Sequence, residues 1–144
     1  VAETGHLVFS TLHCGDTVGA LDRMLGAFPG SEQESLCQQL SMTLRAVIAQ
    51  KLLPHSEGRG LVPAVEILMV NSAVANLIRG HRSQQIYSSI ENGSVHGMQT
   101  MDQSLAQIVA KGWVSEKMAR RSARDQKMFD ERLQNMKGVR PVSI

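Results

Sequence analysis

The chain contains no Gly-x-x-x-x-Gly-Lys-Ser/Thr run anywhere in its 144 residues. This sequence by itself therefore lacks the backbone cradle with which phosphate-loop enzymes hold a nucleotide. Aromatics are scarce, at 3% with one Trp and one Tyr, so there is no row of rings on which nucleic-acid bases could stack. The net charge of +2 is too small to argue for nucleic acid. The basic run from Lys117 to Arg124 is followed by Asp125, Asp130 and Glu131, and it reads as a solvated helix face. Two cysteines, Cys14 and Cys37, make no disulfide framework and fit a reducing compartment. His6 and His13 stand an odd number of positions apart, so on a strand they point to opposite faces. No Cys-x-x-Cys accompanies them, and no metal site is expected. No run approaches the roughly 18 apolar residues of a membrane span, and no basic-then-apolar leader opens the chain, so direct membrane insertion is not expected.

What is present is globular: 42% hydrophobic and 19% charged residues, with a core built from Leu, Val, Ile, Ala and eight Met. The bulky alternation from Leu7 to His13 predicts a buried central strand that delivers His13 to its C-terminal end. In an open α/β sheet, ligands sit beyond that end of the strands, and a histidine can exchange a proton near neutral pH. His6, at the start of the strand, is a weaker candidate of the same kind. Asp16 is placed to cap a helix from Thr17 to about Ala27. Ser31 and Glu34 form a capping box for a long helix to about Ala49, followed by a short strand over 50–53. Leu61 to Val70 predicts a strand. Its Glu66 needs a buried partner such as an arginine. Asn71 or Ser72 caps a helix from Ala73 to Arg79, and another follows over 84–90. Thr100 with Gln103, then Ser115, then Asp125 open three further helices. Residues 137–144 read as a flexible tail.

Several runs resemble a known family. Ala2-Glu3-Thr4-Gly5-His6-Leu7-Val8-Phe9-Ser10-Thr11-Leu12-His13 is similar to the histidine box of the secretion ATPases, above all the PilT-type pilus-retraction motors. Leu21-Asp22-Arg23 with Phe28-Pro29, the stretch Leu44 to Pro54, and Gly97-Met98-Gln99-Thr100-Met101-Asp102 resemble further signatures of the same family. Ala73-Val74 followed by Asn76-Leu77-Ile78-Arg79 is similar to the box that separates retraction motors from assembly motors. Ala75 stands where that box carries arginine, and Ser72 where proline is common.

The resemblance implies an α/β fold: the C-terminal part of a RecA-like ATPase core, a few-stranded sheet with flanking helices, followed by a helical appendage. It divides the chain into core (1–70), helical region (71–136) and tail (137–144). It implies a segment of a homohexameric motor that couples ATP hydrolysis to type IV pilus retraction at the cytoplasmic face of the inner membrane. ATP and Mg²⁺ would serve the intact protein; this sequence alone, without Walker A and Walker B, is expected to be inactive and to bind neither tightly. His13, and less securely His6, would take part in catalysis. Asn76, Leu77, Ile78 and Arg79 would meet a partner, the inner-membrane pilus platform protein. The alternatives are a pilus-assembly or type II secretion ATPase segment, many of which carry Cys-x-x-Cys pairs absent here, and a non-catalytic adaptor module.

Overall fold

A computed structural model describes residues 1–138. Its elements are α1 (Thr17–Gly26), α2 (Gly30–Thr43), β1 (Ala46–Pro54), β2 (Leu61–Met69), α3 (Ser72–Arg79), α4 (Ile86–Asn92), α5 (Met101–Ala110), α6 (Glu116–Ser122) and α7 (Gln126–Gly138). Short 3-10 turns lie at Ala2–Thr4, Ser83–Gln85 and Ser94–His96. The α/β class expected from the sequence is the one observed. The sheet has two strands, β1 beside β2. Residues 55–60 join them, too short a connection for anything but an antiparallel hairpin.

Two compact units interleave along the described sequence: residues 1–49 with 67–99, and residues 50–66 with 100–138. A division at residue 70 does not coincide with either. The first unit is centred on Val18, Leu21, Leu68, Val74, Ile78 and Ile86. These come from α1, β2, α3 and α4, each turning an apolar stripe inward. The second is centred on Leu53, Ala64, Leu105, Ala119, Phe129 and Leu133, with the Phe129 ring fully buried, where an aromatic contributes most.

The strands alternate as a half-buried sheet should. Val62, Ala64, Glu66 and Leu68 point inward, and Leu61, Pro63 and Met69 outward. The outward set is apolar too, with Ile48, Leu52 and Leu61 all exposed.

Several local expectations hold. The Asp16 carboxylate accepts from the Gly19 N–H at 2.7 Å, and Asn71 Oδ1 accepts from the Val74 N–H at 3.0 Å. Thr100 and Gln103 form the reciprocal box, at 2.9 and 3.2 Å, and Ser115 caps α6.

Others fail, for identifiable reasons. No strand forms over Leu7–His13, and Leu7 and Phe9 are 82% and 89% exposed. A strand exists only through a ladder with a neighbour, and among the described residues no strand pairs with this segment. The Ser31 box does not form: α2 begins at Gly30 behind Pro29, with no side-chain cap. That helix stops at Thr43, and Ala46–Pro54 is strand. The apolar spacing at Leu40, Leu44 and Val47 suits a helix, but Val47-Ile48 is β-branched and finds a partner strand in β2, so tertiary pairing overrides the local period. Glu66 is buried in β2, and the backbone N–H of Met101 donates to its carboxylate at 3.3 Å. Lys137 and Gly138 belong to α7, and Lys137 Nζ pairs with Glu116 at 2.9 Å. The rest of the expected tail, 139–144, lies outside the described residues.

Candidate functional site

His13 is exposed in the irregular segment before α1. Its carbonyl oxygen accepts a hydrogen bond from the Arg23 guanidinium at 3.1 Å, which ties the segment to α1. The ring therefore does not stand at the end of a strand, contrary to the alternation argument. His6 is also exposed, and its Nδ1 lies 2.9 Å from the Thr4 hydroxyl. Neither ring has a carboxylate within ion-pair distance among the described residues.

The residues of α3 are brought together in a defined way. The Asn71 cap starts the helix and Gly80 ends it. Val74 and Ile78 are buried, at 0% and 4% exposure, so the inward face anchors the helix in the first unit. Ile78 is therefore a support rather than a contact surface. The outward face carries Asn76 and Arg79, one turn apart, and Arg79 Nη1 donates to Asn76 Oδ1 at 3.1 Å. Leu77 is half-buried beside them. The result is an accessible polar edge on a rigidly seated helix.

The Gly97–Asp102 run is explained by structure alone. Gly97 has φ 77, a conformation that costs other L residues energy, and it turns the chain after a 3-10 turn. Gln99 exchanges backbone hydrogen bonds with Ile67 at 2.8 and 3.1 Å. Thr100 caps α5, and Met98 and Met101 are buried. Asp102, 2% exposed, accepts from the backbone N–H groups of Arg124 and Asp125 at 2.8 and 3.0 Å. The Asp125 carboxylate in turn takes the Lys127 and Met128 N–H groups. Two acids thereby satisfy the donors that open α7, a helix end where negative charge is favoured.

A second feature escapes the reading of Lys117–Arg124 as a plain solvated face. Lys117 and Arg121 border an open concavity between α6 and α7. Their i, i+4 spacing was the available signal.

The chain matches the model of the Type II/IV secretion system protein family over residues 1–141. It belongs to that family. Among family relatives, it is 47% identical over 124 residues to a "Twitching motility protein" of Neisseria gonorrhoeae, covering 86% of this chain and 33% of that protein. It is 43% identical over 123 residues to the type IV pilus "retractation" ATPase PilT of Pseudomonas aeruginosa, covering 85% of this chain and 36% of that one. A crystal structure of the pilus retraction motor PilT with bound ADP superposes with a TM-score of 0.76 and 38% identity, covering 90% of this chain and 36% of that one. This secretion-family chain thus spans about a third of the length of the relatives it matches.

Family membership raises the question of nucleotide. The residues present do not fit it by themselves, because the sequence has no phosphate loop to cradle the phosphates. Among the described residues no helix is long and apolar enough to cross a membrane.

Proposed function

We propose that this chain is the C-terminal segment of a homohexameric motor ATPase that drives type IV pilus retraction, the activity underlying twitching motility. The observation that carries the reading is the outer edge of α3: Asn76 and Arg79, hydrogen-bonded to each other and held out by the buried Val74 and Ile78. They occupy the box whose resemblance is to retraction motors. On this reading Asn76, Arg79 and the accessible part of Leu77 meet the inner-membrane pilus platform protein, and the motor works in the cytoplasm at that membrane face. ATP and Mg²⁺ are held by motor residues outside this sequence, and His13 approaches them from the irregular segment.

A chimera tests the proposal. The equivalent third of the P. aeruginosa PilT is replaced by this chain and expressed in a strain lacking its own PilT. Restored twitching is expected. A chimera that hydrolyses ATP without restoring twitching would point instead to an assembly or secretion motor.

A further inference from the structure

Helix α6 and the first residue of α7 border an open concavity of about 460 Å³ lined by Glu116, Lys117, Arg120, Arg121 and Gln126. All five belong to one compact unit. Two of the charges are already committed. Arg120 forks onto Asp130, with Nε 3.1 Å from both carboxylate oxygens and Nη2 2.9 Å from Oδ2. Glu116 is paired with Lys137 at 2.9 Å. Lys117 and Arg121 are exposed and have no acidic partner within ion-pair distance among the described residues. The lining therefore leaves two positive charges, one neutral amide and no unpaired carboxylate.

The helices that carry these groups are tied together. Asp102 holds the α6–α7 turn through the Arg124 and Asp125 N–H groups. The Arg120–Asp130 and Glu116–Lys137 pairs then bridge the two helices along their lengths. Lys117 and Arg121 stand one turn apart on α6, with Cβ atoms about 5–6 Å from each other by helix geometry. A guanidinium presents a planar fork that matches a carboxylate.

We propose that this concavity is a docking site for an acidic peptide segment of a protein partner, one that presents two carboxylates about one helical turn apart. An open, charged concavity of this kind suits a segment lying across the surface. Among the described residues no apolar side chain lines it, as seating an acyl chain at a lipid surface would require, and no aromatic lines it, as stacking a base would require. The proposal does not depend on the motor reading.

The test uses the full chain and a fluorescent, helix-forming peptide with Glu at i and i+4 in an alanine background. Its controls are the same peptide with Gln, vesicles containing phosphatidylserine, and inorganic phosphate. The Glu peptide should bind, weaken several-fold between about 50 and 200 mM salt as screening tightens, and lose about tenfold or more in affinity to the variant Lys117→Ala/Arg121→Ala. Arg59→Ala, a cation of the 55–60 turn, should leave binding unchanged. Both altered side chains are exposed, so the double variant should keep its circular-dichroism melt. Should the melt shift, the Lys117→Gln/Arg121→Gln variant takes its place and must show the same loss. Equal binding of the Gln peptide, unaltered binding by the double variants, or Lys117/Arg121-dependent capture by vesicles or phosphate in place of the peptide would overturn the proposal.

Discussion

One oxygen of the buried Asp102 carboxylate accepts the backbone N–H of Arg124 at 2.8 Å, across 22 positions of sequence. Its other oxygen takes the next N–H, that of Asp125. A side chain of α5 thus closes the turn between α6 and α7. Hydrogen bonds to a charged group contribute about 1.5–3 kcal/mol each, and a donor left dry costs about 1–3. Because Arg124 and Asp125 lie near solvent, part of that cost is recovered by water.

Asp102→Ala is therefore expected to lower stability by about 1–3 kcal/mol. Asp102→Asn, which keeps one good acceptor, should lose about half as much. Urea unfolding of the three proteins reads this directly. Equal stability of Asp102→Ala and the parent would show that the turn holds without the carboxylate.

The two cysteines should behave differently. Cys14 is half-exposed and Cys37 is fully buried. Burial pushes the Cys37 thiol above its ordinary value of 9.0, because the thiolate is poorly solvated there. Alkylation followed by mass spectrometry should add one label quickly, at Cys14, and the second only in denaturant. The linkage has a definite sign. Below the ordinary thiol value both folded and unfolded chains hold the proton, and the contribution to stability is fully present. As pH rises past it, the unfolded chain ionises first and stability is lost. Stability should thus fall above about pH 9, and less steeply in Cys37→Ala. Equal labelling rates at the two cysteines would contradict the buried placement.

Much of this was legible in the sequence, and the failures share a cause. Most caps were readable because they are local: Asp16, Asn71, Thr100 with Gln103, and Ser115 act within three residues of themselves, while the Ser31 box gave way to a helix start at Gly30 behind Pro29. The Leu7–His13 strand and the helix drawn through Val47 were misread because their state depends on pairing, which is not local. Pairing is missing for the first and supplied by β2 for the second. Glu66 was recognised as a residue needing a partner. That the Met101 N–H, 35 positions on, is one of its donors was beyond any periodicity. At the candidate site, α3 was readable as an element, but only packing shows that Ile78 turns inward while Asn76 and Arg79 face out.

Purified, this chain should neither turn over ATP nor bind it tightly, since no phosphate loop is present in the sequence. A phosphate-release assay with and without Mg²⁺ checks this. Turnover of order 1 s⁻¹, ordinary for an enzyme, would contradict it.

His13 should matter only in the assembled motor. In the PilT chimera, His13→Ala should lower turnover about 10²-fold, the scale of one positioned proton-handling group. ATP affinity should stay within a few-fold. Kinetics and nucleotide titration on that variant decide the matter. Unchanged turnover would leave the ring a surface histidine, as its exposure alone suggests.

The most direct test of the central claim is Arg79→Ala in the same chimera, scored for ATPase rate, melting temperature and twitching together. Arg79 is exposed and bonded to Asn76 on its own helix, so stability should move by no more than about 0.5 kcal/mol. ATPase activity should stay near the parent value while twitching is lost, as expected of a residue that transmits force to a partner. Full twitching, or a collapse of melting temperature that takes ATPase activity with it, would contradict the account.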